Sequence, residues 1–365
     1  MPSLKKLKLK NFRNIVGADL SFSQHNLLIG SNGQGKTSLL EAIYYLSILR
    51  SFKTPTLNNL INYNADYFSL TGRVVQKTGG DISLQANFGS DRKLLLNGIT
   101  IRRSSDFIRN YICVVFAPDD IMLVNGSADI RRRFFDIYLS ILYPVYLKAL
   151  RDYKSILQRR NKLLKFGEDK IKSVQAFNEI LALNGAIINE KRIKFIKNIN
   201  KKLLLISDDF KMIPGKFYLN YQPSPNLQDE KVEEIKITLL QALKKKQDAD
   251  FKYGYTSIGP HRDDFLINLG DIQLNRYGSR GQCRLASLVL KIAVAEIFKQ
   301  DNMLDGRIVY LVDDVIGELD PKTKDYFFNF LSTEHQLFFA STEKVDIFSE
   351  EAKKTFHVSN GEIIN

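Results

Sequence analysis

Gly30-Ser31-Asn32-Gly33-Gln34-Gly35-Lys36-Thr37 fits G-x-x-x-x-G-K-[ST], the phosphate-binding loop. Just before it, Asn26-Leu27-Leu28-Ile29 predicts a short buried strand. Just after it, the run from Ser38 to Leu46 predicts a helix. Strand, glycine loop and helix, in that order, are the context in which this motif works. The glycines let backbone N–H groups turn inward around phosphate oxygens, and the helix N-terminus adds partial positive charge. Lys36 supplies a mobile cation for the β- and γ-phosphates of ATP, and Thr37 a hydroxyl for Mg²⁺. The competing reading is a glycine turn that merely precedes a helix, and both flanks speak against it.

With 365 residues, the chain has room for one large domain or two ordinary ones. Its two cysteines, Cys113 and Cys283, are far apart and form no C-x-x-C pair. Neither a disulfide framework nor a zinc site is indicated, which suits a reducing cytoplasm. The first ten residues alternate apolar and basic side chains and predict an edge-like strand rather than a signal peptide. No stretch approaches the roughly 18 apolar residues of a membrane span, so no membrane partner is expected. The net charge of +13 points to a polyanion, with nucleic acid first among such partners. A general basic bias is the competing explanation. Residues 151–200 hold 12 Lys/Arg against 5 Asp/Glu, so the excess is uneven.

Periodicity divides the chain. Up to about residue 125 the pattern is mixed α/β. Strands are expected at Leu4–Leu9, Val16–Ser21, Asn26–Ile29, Tyr67–Val75, Asp81–Phe88, Arg92–Leu96 and Cys113–Phe116, with turns at Gly79-Gly80 and Asn97-Gly98. Arg131–Lys165, Ser173–Leu205 and Glu230–Lys246 carry helical spacing, with Gly167 between the first two. From about residue 250 the α/β pattern returns, with an apolar helix at Gly278–Lys299 and a strand at Arg307–Val312. A helix at Pro321–Leu331 and a strand at Gln336–Ala340 follow. The expected layout is an α/β nucleotide-binding head from residues 1–125 and 250–365, with a mainly helical lobe, 126–249, inserted between. No internal repeat interrupts it.

A second half of the nucleotide site is readable. Ile308-Val309-Tyr310-Leu311-Val312-Asp313-Asp314 is an apolar strand ending in two acids, the Walker B pattern. One carboxylate must reach the Mg²⁺ shell and the next can orient the attacking water. Asp313 is assigned to the metal and Asp314 to the water. Ordinary strand termini also end in acids, and the P-loop in the same chain favours the functional reading. Gly317-Glu318-Leu319-Asp320 follows and is similar to the D-loop of ABC-type ATPases. Upstream, Ser279-Arg280-Gly281-Gln282 opens the apolar helix. Ser-x-x-Gln is a capping box, and it also resembles the ABC signature, a turn that presents a helix N-terminus to a γ-phosphate. The two readings are compatible, because an anion can replace solvent at that N-terminus.

Several segments together resemble the RecF family of bacterial recombinational-repair ATPases. They are Leu9-Lys10-Asn11-Phe12-Arg13-Asn14, the P-loop with Leu40–Tyr44, and Arg50–Thr54. Further on come Phe116–Ile121, Arg131–Asp136, Ser257–Asp264, Ser279–Gln282 and Asp313–Asp320. They run in family order over nearly the whole length. The resemblance implies an ABC-type head, similar to those of SMC and Rad50 proteins but without a long coiled coil. It implies that Arg13 and Asn14 lie beside the nucleotide. Gly30, Asn32, Gly33, Gly35, Lys36, Thr37 and Ser38 would wrap the phosphates. Ser279, Arg280, Gly281 and Gln282, with Asp320, would complete the site of a second subunit in an ATP-dependent homodimer. It further implies slow, DNA-stimulated hydrolysis and work with RecR and RecO at gapped DNA, helping to load RecA.

Three departures stand out. Where ABC heads usually carry Glu, this chain has Asp314, a shorter acid that orients water less readily and suits slow turnover. After the strand Gln336–Ala340 stand Ser341-Thr342 in place of a switch His, so a hydroxyl is expected near the γ-phosphate. No Q-loop Gln is identified; the Pro118-Asp119-Asp120 region is its expected place. His261 stays open between a catalytic role and a structural turn. For contacts to single-stranded, double-stranded and gapped DNA, the candidates are Arg151, Lys154, Arg159, Arg160, Lys162 and Lys165 on the helical lobe. A solvated helix face is the competing reading. The rival functions are an ATP-switched DNA clamp or scaffold without hydrolysis, and a transporter subunit or general P-loop motor. The inserted lobe and the positive charge count against the latter.

Overall fold

The computed structural model describes residues 4–75, 80–166, 171–209, 215–301, 304, 307–315, 317, 319–331, 335–343 and 353–364. Its strands are β1 (Leu4–Phe12), β2 (Ile15–Ser21), β3 (His25–Ile29), β4 (Phe68–Val75), β5 (Asp81–Phe88), β6 (Arg92–Leu96), β7 (Ile99–Ile101), β8 (Ile112–Phe116), β9 (Phe217–Gln222), β10 (Asp264–Leu269), β11 (Ile272–Gln273), β12 (Ile308–Asp313), β13 (Gln336–Ser341), β14 (Lys353–Ser359) and β15 (Glu362–Ile364). Contacts divide the chain into two compact units, one of residues 1–119 with 295–365 and one of residues 120–294. No helix among the described residues is long and apolar enough to cross a membrane.

The first unit holds two six-stranded sheets. One runs β2-β1-β4-β5-β6-β7 and is antiparallel throughout. The other runs β15-β14-β3-β13-β12-β8, parallel except for the β14–β15 pair. Between them lies the helix Lys36–Ile48, which touches β1, β4 and β5 on one side and β8, β12 and β13 on the other. This explains why it is apolar nearly all round, from Leu39 to Ile48, since a helix buried on every side cannot be amphipathic. The parallel strands show the matching signature: Val114 and Val309–Val312 are fully or nearly fully buried, as both faces of a covered parallel sheet demand. Asn97 and Gly98, with φ of 50° and 78°, form the expected two-residue turn joining β6 to β7.

The second unit is built on the helices Ala128–Leu142, Pro144–Leu164, Ile171–Asp209 and Val232–Lys245. The single helix expected over Arg131–Lys165 is two, because Pro144 removes a backbone donor and starts a new helix at its first turn. Helices dominate this unit but do not fill it. β9 and β11 flank β10 in an antiparallel sheet packed on the helices Ala128–Leu142 and Ile171–Asp209. That sheet moves the boundary. Residues 250–294, expected with the head, group with the inserted unit, because β10 pairs with β9 over Asp264–Leu269 and Phe217–Gln222. Gly167 lies outside the described residues.

Candidate nucleotide site

The site of the first unit grows from two strand ends. β3 delivers the chain into the loop at Gly30, and β12 ends on Asp313. Their common neighbour β13 pairs Ser341 with Ile29 and Ala340 with Asp313, so the three strands end together. This is the carboxyl edge of a parallel sheet, where open α/β folds place their ligands. Two glycines are required by geometry. A Cβ on Gly30 would stand 2.2 Å from the Val358 carbonyl oxygen, and Gly35 has φ of 124° with Asn14 against it.

Within the loop, Lys36 is buried and its Nζ donates to the carbonyls of Gly30 at 2.6 Å and Ser31 at 3.2 Å. The same Nζ lies 3.8 Å from the Asp314 carboxylate. Thr37 Oγ1 is 2.8 and 2.9 Å from the two oxygens of Asp313. The pair assigned from the sequence to the metal is therefore brought together across 276 residues. Burial raises the Asp313 carboxyl above its ordinary pKa, opposed by the Thr37 hydrogen bond. A desolvated carboxylate of this kind gains from a cation beside it. Among the described residues no group of three or more His, Cys, Asp or Glu side chains could hold a metal by itself. The donor set of one hydroxyl and one carboxylate fits Mg²⁺, which keeps waters and takes further oxygens from phosphates. Asp314 is half-exposed and adopts φ of 51°, a left-handed conformation uncommon for a non-glycine residue.

Arg13 and Asn14 form the β1–β2 turn and reach the loop by different routes. Asn14 Nδ2 donates to the Gln34 carbonyl at 3.1 Å, and its Oδ1 accepts from Ser38 Oγ at 2.7 Å. Arg13 turns to Glu41, with both Glu41 oxygens accepting at 2.7 and 2.9 Å. Glu41 and Lys53 were not singled out from the sequence. Glu41 is almost fully buried in the apolar helix and also accepts from the Ser51 hydroxyl. Lys53 Nζ lies 3.9 Å from Asp313. The legible signal was Glu41 itself, an acid within an otherwise apolar stretch that needs a cationic partner. Ser341 Oγ accepts from the Glu343 backbone N–H at 3.2 Å.

The signature candidate lies in the second unit. Ser279 Oγ accepts from the Gln282 N–H at 3.2 Å, and Gln282 Oε1 accepts from the Ser279 N–H at 2.9 Å. This reciprocal pair is a complete capping box on the helix Arg280–Gln300. Gly281 has nothing within 4 Å of the place a Cβ would occupy, so an incoming group has access there. Asp320 likewise caps a helix. Its carboxylate accepts from the Thr323 N–H at 3.1 Å and hydroxyl at 2.6 Å, and the latter bond leads in lowering its pKa. Glu318, expected in the same turn, lies outside the described residues. In the region expected for a Q-loop, Asp120 instead pairs with the buried Lys291.

The six DNA candidates divide. Arg151, Lys154, Arg159, Lys162 and Lys165 are exposed on or at the end of the helix Pro144–Leu164. Arg160 is fully buried and is removed from the set. It donates to Asn178 at 2.8 Å, to Asp250 at 2.8 Å and to Thr256 at 2.7 Å. The spacing accounts for this. Arg160 follows Tyr153 by seven residues and precedes Leu164 by four, which is the inner stripe of the helix. Lys154 is 3.5 Å from Asp136 and Arg151 3.1 Å from Asp152, so each already has an acid nearby.

The segments 131–136 and 257–264 hold the second unit together. Arg131 bonds both oxygens of Asp264 at 2.7 and 2.8 Å, and Arg192 bridges Asp136 at 2.8 Å and Asp263 at 2.6 Å. Tyr221 and the Ser224 N–H also donate to Asp263. His261 is part of this lock. Its Nδ1 meets the Tyr153 hydroxyl at 2.7 Å and its Nε2 the Thr256 carbonyl at 3.0 Å. A carbonyl opposite Nε2 assigns the proton there, leaving Nδ1 as acceptor. Burial pushes the imidazole pKa down to about 4. Both nitrogens are occupied and the ring is neutral, so the structural reading of His261 holds.

Comparison with known proteins agrees over the full length. The model of the RecF/RecN/SMC N terminal domain matches residues 3–363. The DNA replication and repair protein RecF of Clostridium tetani is 34% identical over 368 residues, covering 99% of each chain. That of Leptospira interrogans is 34% identical over 346 residues, covering 93% of this chain and 92% of its own. A solved structure described as the recombination mediator protein RecF-ATP in the RecFOR pathway superposes with a TM-score of 0.91 at 29% identity. It covers 99% of this chain and 97% of the other. Its RecF-ATPrS counterpart gives 0.90 at the same identity and coverage. This chain belongs to the RecF family of DNA replication and repair proteins, on an ABC-type, SMC-like head with an inserted, mainly helical lobe.

Proposed function

We propose that this protein is a cytoplasmic, ATP-switched DNA-binding protein of recombinational repair, with weak DNA-stimulated ATPase activity. The carrying observation is the convergence of Thr37 and Asp313 at 2.8 Å, with Lys36 and Asp314 beside them. Thr37 and Asp313 would hold magnesium, which when bound neutralises phosphate charge. Lys36 would exchange its contacts to the Gly30 and Ser31 carbonyls for phosphate oxygens. Asp314 would accept a proton from the attacking water. Its short, half-exposed side chain suits slow turnover, so nucleotide state acts as a switch more than as a motor. Structures of relatives described with ATP and ATPrS support the nucleotide.

Ser279 to Gln282 would close on the γ-phosphate held by a second copy, making an ATP-dependent homodimer with Asp320 at the same interface. Arg151, Lys154, Arg159, Lys162 and Lys165 would contact single-stranded, double-stranded and gapped DNA through its backbone, with steep salt dependence. The pathway named for the solved relative supports work with RecR and RecO, and the family resemblance adds RecA loading at gaps. Phosphate release, measured with and without duplex, single-stranded and gapped DNA, tests this reading. DNA-stimulated release by the wild type that drops to background in Asp314→Asn supports an enzyme. Equal release by the two supports a clamp that binds ATP and DNA without hydrolysis.

A further inference from the structure

Asn-Gly closes a two-residue hairpin at two places in this chain, and the two turns have different surroundings. Asn97-Gly98 joins β6 to β7, with φ of 50° and 78°, and Asn360-Gly361 joins β14 to β15, with φ of 50° and 81°. Nothing lies within 4 Å of the place a Cβ would take on Gly98. On Gly361 a Cβ would stand 2.1 Å from the Asn14 carbonyl oxygen, so only glycine lets this turn come so close. β14 brings it there. That strand runs parallel to β3 and pairs His357 with Ile29, so the turn that follows stands beside the glycine loop that β3 enters.

Both N–H groups of the turn go to one residue of the loop. The β14–β15 ladder ends at Ser359 and Glu362, so Asn360 and Gly361 need partners outside it. The Asn360 N–H donates to Gln34 Oε1 at 2.6 Å, 326 residues away. The Gly361 N–H donates to the Gln34 carbonyl at 2.8 Å. The same carbonyl accepts from Asn14 Nδ2 at 3.1 Å, which engages both of its lone pairs. The Asn14 amide also fills the space beside Gly35, 3.0 Å from where a Cβ would be. The Gln34–Gly35 peptide is thus held by the hairpin and by the β1–β2 turn. It is trans, and a planar trans peptide sets its N–H opposite its carbonyl.

We propose that the Asn360-Gly361 turn is a positioning element of the nucleotide site: it fixes the Gln34 carbonyl outward and so aims the Gly35 N–H at bound phosphate. Glycine-rich backbone can turn a peptide either way, and ordering it costs conformational entropy. A hairpin that orders it beforehand removes that cost from binding. An N–H already aimed at an anion is worth more than one that must reorganise. The inference rests on the nucleotide reading of Gly30–Thr37 and adds residues 360 and 361 to that site.

The test uses the full chain and Gly361→Ala, whose Cβ must push the turn off Asn14. β15 is the edge strand of its sheet, so the hairpin can lift while the inner strands stay paired. Hydrogen exchange without nucleotide should quicken in residues 30–38 and stay unchanged in β3 and β13. Affinity for a fluorescent ATP analogue with Mg²⁺ should fall roughly tenfold to a hundredfold, the worth of a hydrogen bond to a charged group. Glu362→Gln, exposed on the same hairpin, should match wild type in both measurements. If Gly361→Ala does not fold, Gln34→Ala, which removes only the acceptor for Asn360, should show the same loop-confined exchange and a loss of about threefold to tenfold. Unchanged exchange and affinity overturn the positioning role and leave the nucleotide reading standing. Faster loop exchange with full affinity overturns it as well, as does an affinity loss accompanied by faster exchange in β3 and β13. A wild type that binds no nucleotide overturns both readings.

Discussion

Arg159 and Arg160 are sequence neighbours with opposite fates. Arg160 is enclosed by Asp250, Asn178 and Thr256, while Arg159 is exposed. Arg160→Leu would leave the Asp250 carboxylate buried without its cation, at a cost of about 3–5 kcal/mol. Arg159→Gln should change stability by less than about 0.5 kcal/mol while weakening DNA binding. Urea unfolding of both variants checks this; equal midpoints would refute the buried pair. His261 gives a pH counterpart. Unfolded, it binds a proton at its ordinary pKa of 6.5; folded, only near 4. Its neutral form therefore contributes stability above pH 6.5 that drains away as pH falls towards 4, about 3 kcal/mol in all. His261→Gln keeps a donor for the Thr256 carbonyl and an acceptor for Tyr153 but does not titrate. Asp136, which is depressed, and Asp263, which is raised, are common to both proteins. Between pH 7 and 4.5 the wild type should lose more melting temperature than the variant, and parallel curves would refute the neutral clasp. From sequence alone, His261 could not be decided, because its partners Tyr153 and Thr256 lie on elements whose approach no local pattern encodes.

Elements were legible where one physical cue dominated. Pro321 starts and Leu331 ends a helix as expected, and β3, the loop and the next helix follow from glycine placement and apolar runs. β9 to β11 were not anticipated, since Phe217–Gln222 is short, flanked by loop residues, and pairs with a strand more than forty residues away. Lys53 was missed for a related reason: it acts at a strand end 260 residues later. The helix Arg280–Gln300 carries the sharpest test at this scale. Ser279 caps it whether or not it also faces phosphate, so Ser279→Ala would confuse two losses, with about 1 kcal/mol from the cap alone. Ser279→Asp separates them, because Asp caps as well as Ser but repels an anion. The variant should melt within a few degrees of wild type yet fail to form an ATP-dependent dimer. A dimer of wild-type strength would reduce Ser279 to a cap.

At the scale of the whole molecule, the P-loop unit and the capping-box turn belong to separate compact units. In the proposed dimer each would offer its half of a nucleotide site to another copy of the chain. In the proposed homodimer the free energy for pairing would come from the γ-phosphate, which ATP has and ADP lacks, so nucleotide identity would set the dimer population. A shift from mostly monomer to mostly dimer needs only a few kcal/mol of differential affinity. Lys36 stands at the start of this linkage, buried and bonded to the Gly30 and Ser31 carbonyls. Lys36→Met keeps the volume and burial but cannot meet phosphate charge. Light scattering with ATP, ADP and no nucleotide, all with Mg²⁺, should show a dimer only for wild type with ATP, and a monomer for Lys36→Met throughout. A wild type that stays monomeric with ATP would refute the switch, as would a variant that pairs without binding nucleotide. Asp314→Asn should behave oppositely to Lys36→Met, because it retains ATP binding and loses the water-orienting carboxylate. Its dimer should therefore outlast that of the wild type after excess ATP is removed.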